Sequence, residues 1–139
     1  MKIKTPAKIN TLLHILRKRN DGFHELYMHM VPINLFDTLS FRKNDAGRLN
    51  FMMESEDFID LSENNLVVRA VRLFEKTTGI IVNMDIFLKK NIPSRAGLGG
   101  GSGNAAGTLK VLNHIFRREI SLSSGLLSQK ELFELAVEL

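Results

Sequence analysis

Pro93-Ser94-Arg95-Ala96-Gly97-Leu98-Gly99-Gly100-Gly101-Ser102-Gly103-Asn104-Ala105-Ala106 is the stretch on which the reading of this chain turns. Alternating apolar residues from Ile80 to Leu88 precede it and predict a strand. Ala105, Leu109, Leu112 and Phe116 follow at helical spacing. Between a strand and a helix, glycines remove side chains that would hold an anion off. They also permit left-handed backbone, which turns successive N–H groups toward one point. The helix adds its own unpaired first-turn N–H groups and the positive end of its dipole. Ser102 contributes a hydroxyl able to meet a phosphate oxygen or a magnesium ion. The segment predicts a nucleotide phosphate site.

The spacing excludes the common nucleotide loops. A Walker A loop needs a lysine directly after its last glycine, and none stands there. Counting G-x-G-x-x-G from Gly97 and Gly99 puts Ser102 where the third glycine belongs, so neither the dinucleotide nor the protein-kinase pattern fits. A flexible linker or a tight helix–strand packing turn is the competing reading; Leu98 and an immediate return to apolar helix argue against the linker, because they bracket the glycines closely.

Working outward, Ser128 and Glu131 form a capping-box pattern that starts a last helix. Leu132, Leu135, Ala136 and Leu139 are still in register at the final residue, which predicts a longer parent protein. Toward the amino terminus, Leu66, Ala70 and Leu73, beside Val67, Val71 and Phe74, mark a helix over Asn65 to Lys76. Ser62 or Asn64 is expected to cap it and Gly79 to close it. Thr38 to Lys43 and Arg48 to Met53 flank Asn44-Asp45-Ala46-Gly47, which reads as a hairpin. From Ile9 the pattern alternates, with Ile9, Thr11, Leu13 and Ile15 on one face and Lys8, Asn10, Leu12 and His14 on the other. Asn20-Asp21-Gly22 turns this strand back into Phe23 to Met28, and Pro32 predicts an edge or a break. No internal repeat, low-complexity tract or linker interrupts the pattern, so residues 1–139 read as one α+β domain, a mixed sheet with helices on one side.

Composition narrows the function classes. The 139 residues are 44% apolar and 24% charged, with enough length for one core and no apolar run long enough to span a membrane. The first residues lack the apolar centre of a secretory signal. With no cysteine, the chain has no disulfide, thiol chemistry or thiolate metal site, which fits a cytoplasmic setting. A net charge of +4 suits an anionic small molecule. Arg17-Lys18-Arg19 is the one basic cluster, and it sits at an expected hairpin tip where solvated charge is common. His24 to His29 is one residue too long for H-E-x-x-H, so no zinc site is read there.

The loop string P-x-x-x-G-L-G-G-G-S-x-N-A-A resembles the ATP loop of the GHMP kinases, a family that includes galactose, homoserine and mevalonate kinases. Three further motifs are similar to the branch acting on 4-diphosphocytidyl-2-C-methyl-D-erythritol. They are Pro6-Ala7-Lys8-Ile9-Asn10, Lys18-Arg19-Asn20-Asp21-Gly22-Phe23-His24-Glu25-Leu26 and Asn65-Leu66-Val67-Val68-Arg69-Ala70. Together with the loop they span most of the chain. Phe23 departs from the usual tyrosine and keeps only its ring. Gly103 departs from a common serine and loses one hydroxyl.

The resemblance implies an amino-terminal GHMP domain with a ribosomal-protein-like fold and a left-handed β-α-β crossover. It implies ATP and magnesium as the reaction's partners, and a cytidine diphosphate conjugate as the alcohol phosphorylated in non-mevalonate isoprenoid synthesis. Pro93 to Asn104 would hold ATP, including Ser94, Arg95, Ala96, Gly97, Leu98, Gly99, Gly100, Gly101, Ser102 and Gly103, with Asn65, Leu66 and Lys90 bordering the adenine. Ser102 would face magnesium. Lys8 would be catalytic, near the attacking hydroxyl. Asn10, Phe23 and His24 would bind substrate, Phe23 by stacking on cytosine and His24 by hydrogen bonding to its edge. The family's aspartate follows a helix resembling Leu132 to Leu139, so these 139 residues alone are expected not to turn over. No nucleic acid or membrane partner is expected, and a homodimer is left open. Two alternatives remain: another GHMP alcohol, against which Asp21 to His24 argues, and a non-catalytic RNA-binding domain. The second lacks an aromatic-interleaved basic patch.

Overall fold

The computed structural model describes residues 1–56, 62–117 and 127–139. In chain order the elements are β1 (Lys2–Lys18), β2 (His24–Lys43), β3 (Asn50–Glu54), α1 (Leu66–Thr78), β4 (Met84–Lys89), α2 (Gly100–Ile115) and α3 (Gln129–Val137). The sheet runs β1-β2-β4-β3. β1 and β4 flank β2 antiparallel, and β3 lies parallel to β4.

Both long strands exceed the extents expected from sequence. β2 passes through Pro32 without a break, and Pro32 pairs with Lys8. Only Thr38 to Lys43 of β2 meet β4, so at Pro32 one edge of β2 is open and a missing N–H is tolerated there. β1 carries an extra residue between Asn10 and Leu12 and another between Ile15 and Arg17. Each bulge shifts the alternation by one, so Lys8 and Asn10 share a face with each other but not with Leu12 and His14.

The expected hairpin around Asn44 to Gly47 does not form. β4 lies between β2 and β3, so the three segments β3, α1 and β4 make a parallel β-α-β unit. Asp85 of β4 shows what holds that insertion. Its carboxylate accepts from Arg42 on β2 (2.7 Å), from Asn44 in the turn (3.0 Å) and from Asn50 on β3 (3.3 Å). A turn signal identifies a turn but not the strand that later arrives between its arms.

Two boundaries also move. Asn65, rather than Ser62 or Asn64, is the cap of α1, its Oδ1 accepting from the Val67 amide at 3.0 Å. Ser62 instead accepts the Asn64 amide one turn earlier. Gly79 closes the helix in the left-handed region, at φ 71°. β4 starts at Met84 rather than Ile80, because the Val82 amide donates to the Glu75 side chain at 2.8 Å instead of to a strand. α2 begins at Gly100, inside the glycine string, and the capping box at Ser128 is present.

The helices cover one face of the sheet. Leu39 and Phe41 of β2 and Met84, Ile86 and Leu88 of β4 point into a core shared with Val67, Val71 and Phe74 of α1 and with Leu109 and Leu112 of α2. Each of these large side chains contributes roughly 1.5–3 kcal/mol by leaving water. Phe74 and Phe116 tilt against each other at 6.0 Å. Leu135 brings α3 onto the same cluster. At Gly107 a Cβ would stand 2.8 Å from Ile3 and Thr5 carbons, which is how closely α2 lies on β1.

Candidate functional site

The loop between β4 and α2 is built for close backbone approach. Gly97 and Gly99 have φ near 72° and 73°, and Arg95 takes the left-handed region at 59° without being a glycine. Left-handed backbone in a bulky residue costs about 1–2 kcal/mol and tends to gather at binding sites. Gly99 is the cap of α2 and has no side chain to accept from the first turn, which also contains no acidic residue. The opening N–H groups of α2 are therefore without a side-chain acceptor at the positive end of the helix dipole.

Those groups open onto a cleft of about 450 Å³. Its lining runs from Pro93 to Ser102 and adds Asn104, Asn65, Leu66 and Lys90, so the structure brings together all the residues expected at ATP except Gly103. Gly103 faces β1 instead, with its Cβ direction 3.7 Å from the Pro6 carbonyl oxygen. Met53, Asn64, Val67 and Leu88 complete the lining and were not expected. Among the described residues no carboxylate lines the cleft.

Asp37, which the sequence reading passed over, organises the cleft from behind. It is fully buried. Its Oδ1 accepts the backbone amides of Asn91 and Ile92, both at 2.8 Å. Its Oδ2 accepts from Lys90 Nζ and Asn104 Nδ2, also at 2.8 Å. Thr5 of β1 donates to Asn104 Oδ1. Burial alone would raise the Asp37 pKa, but hydrogen bonds from Ile92, Lys90, Asn104 and Asn91 outweigh it and hold the carboxyl below the ordinary carboxylate range. A signal did exist in the sequence. Asp37 shares strand parity with Leu39 and Phe41, so a period-two reading places this charge on the buried face.

Lys90 consequently differs from a simple wall residue. Its ammonium is committed to Asp37 and to the Ile92 carbonyl, leaving the stem to line the cleft. Lys8 sits on the opposite side of the loop. Its amide donates to the Leu98 carbonyl at 2.9 Å, and its side chain runs so near Gly99 that a Cβ there would be 3.1 Å from Lys8 Cγ. Asn10 follows on the same face of β1, exposed. Phe23 and His24 are not brought to the cleft. His24 pairs with Lys18, ten residues along β1 from Lys8, a contour of about 30 Å at the usual strand rise. Phe23 is 73% exposed at the ribbon's tip.

Residues 65–139, which carry the cleft's helices and loop, match the family profile described as GHMP kinases N terminal domain. The chain belongs to the GHMP kinase family. Among GHMP kinases, it is 46% identical over 134 residues to a 4-diphosphocytidyl-2-C-methyl-D-erythritol kinase of Prochlorococcus marinus (strain MIT 9215), an alignment covering 96% of this chain and 40% of the relative. A crystal structure of 4-(cytidine 5'-diphospho)-2C-methyl-D-erythritol kinase superposes with TM-score 0.72 at 31% identity, over 99% of this chain and 45% of that one. A homoserine kinase from Cytophaga hutchinsonii reaches TM-score 0.68 at 19% identity, over 99% and 40%, and shares the fold. The chain thus spans less than half the length of these GHMP relatives. Among the described residues no helix is long and apolar enough to cross a membrane.

Proposed function

We propose that the complete protein transfers the γ-phosphoryl group of ATP to the erythritol 2-hydroxyl of 4-diphosphocytidyl-2-C-methyl-D-erythritol, in non-mevalonate isoprenoid synthesis in the cytoplasm. Residues 1–139 supply its ATP-binding domain. The observation that carries this reading is the start of α2 at Gly99, without a side-chain acceptor and opening onto a cleft of phosphate-loop chemistry.

In this reading the backbone from Pro93 to Ser102 surrounds the triphosphate, while Asn104 braces the helix start. Asn65, Leu66 and the Lys90 stem border the adenine. Ser102 offers its hydroxyl to magnesium, which neutralises phosphate charge when bound. Lys8 reaches past Gly99 toward the transferring phosphate and stabilises charge developing on the acceptor oxygen. Asn10 holds the acceptor; Phe23 and His24, at the ribbon's tip and outside the cleft, are given no contact with the substrate bound there. Among the described residues no carboxylate lines the cleft, so this reading assigns them no group that orients the hydroxyl. The partners are small molecules rather than nucleic acid or membrane, and assembly as a homodimer is read by sedimentation of the complete protein.

A coupled ADP-release assay on the complete protein tests the proposal. ADP release should depend on the cytidine diphosphate conjugate, and equal release with and without it rejects the assignment. A second alcohol substrate remains the alternative, because the homoserine kinase shares this fold. A panel of GHMP alcohols separates the two.

A further inference from the structure

We infer that Asp37 is the positioning residue of the phosphate loop, and that it sets nucleotide affinity by tying both ends of the loop to one carboxylate. This rests on the nucleotide reading above. The loop leaves β4 at Lys89 and enters α2 at Gly100. Asp37 Oδ1 takes two consecutive amides, Asn91 and Ile92, at the loop's beginning. Its Oδ2 takes the Asn104 amide group on the first helical turns after it. Asn91 also donates its side chain to the Phe36 carbonyl, next to Asp37 in sequence, at 2.8 Å. One residue of β2 thus fixes the entry and the exit of a segment whose backbone must face an anion.

Lys90 belongs to this device. Its side chain is 8% exposed and that of Asp37 is not exposed at all. A Cβ on Gly100 would lie 3.0 Å from Lys90 Nζ, so the ammonium presses on the opening turn of α2. The pair therefore places the first N–H groups of the helix relative to the strand that precedes them. Its electrostatic stake is large, since removing the carboxylate would strand a buried cation together with three N–H donors. The network reaches β1 through Thr5, the same strand that carries Lys8. The nucleotide loop and the lysine on its far side share one frame.

The test uses the complete protein. Asp37→Asn should raise the KM for ATP at least tenfold while leaving the KM for the alcohol within twofold, with the fold retained by circular dichroism. Amide exchange at Asn91 and Ile92 should accelerate in the same variant. Lys90→Met keeps the three N–H bonds to Asp37 and should raise the ATP KM less than Asp37→Asn does. Thr5→Val cuts only the outer link and should shift the ATP KM in the same direction by a smaller factor. The inference is overturned if Asp37→Asn lowers the melting temperature with an unchanged ATP KM, or raises both KM values equally. A larger ATP effect from Lys90→Met also overturns it, because Lys90 would then act on the nucleotide directly. If Asp37→Asn does not fold, an unchanged ATP KM in Thr5→Val overturns it. Should the wild-type protein bind no nucleotide, the kinase reading falls and the affinity claim with it; amide exchange would still report the anchoring itself.

Discussion

Lys8 is held at two levels. Its amide belongs to the loop through Leu98, and its side chain lies along Gly99, so the ammonium is carried past the loop rather than left to wander in solvent. Replacing it with methionine preserves the stem and deletes the charge. Lys8→Met in the complete protein should lower kcat by about 10²–10³, the usual cost of removing one transition-state donor, with the ATP KM little changed. Steady-state kinetics check this, and a kcat within tenfold of wild type would remove Lys8 from the chemistry. Asp37 yields a pH prediction. Its folded-state pKa is lowered, so its stabilisation is complete above the unfolded value of about 3.9 and is lost as pH falls through the depressed folded value. Thermal unfolding followed from pH 6 downward should show an acid limb that is shallower in Asp37→Asn.

At the scale of elements, the start of α2 is the tightest joint. A Cβ on Gly100 would stand 3.0 Å from Ile92 Cγ2 and 3.0 Å from Lys90 Nζ. Ile92 is buried and β-branched, and Lys90 is bound to Asp37, so neither can yield easily. Gly100→Ala should therefore destabilise by about 1–3 kcal/mol, overpacking outweighing the gain in helix propensity. Urea unfolding measures it, and a neutral or stabilised variant would show that the joint has slack. This also revises what the glycines are for. The sequence reading assigned them to anion access and left-handed backbone, which holds for Gly97 and Gly99. Gly100, against Lys90 and Ile92 of the preceding loop, and Gly107, against Ile3 and Thr5 of β1, are instead contact glycines, and such tertiary contacts leave no local pattern. Helices, turns and the loop were legible because their signals are local: Ser128 with Glu131, Gly79, and the glycine string itself. The place of β4 was not, because it depends on Asp85 gathering Arg42, Asn44 and Asn50 from segments about forty residues apart. Asp37 was half legible, its parity being visible and its four donors not.

For the molecule as a whole, the distal β1–β2 ribbon stands clear of the helices. Leu13, Ile15, Leu16, Tyr27 and Met30 are all more than half exposed there. Exposed apolar side chains on this scale mark a contact surface or an aggregation liability. The chain expressed alone should self-associate with rising concentration, and Ile15→Lys should reduce that association without altering circular dichroism. Sedimentation velocity decides it; a single monomer boundary at every concentration would show that the ribbon is content in water.

The inward turn of Lys90 also matters to anyone hoping to label this cleft. Among the described residues it is the sole lysine in the lining, and its nitrogen is engaged by Asp37 and the Ile92 carbonyl. Amine-seeking electrophiles tethered to an ATP analogue would find no free nucleophile at that wall. Acylating footprints should fall on the surface lysines and skip position 90, so a covalent probe aimed at the wall that Lys90 lines needs a different handle.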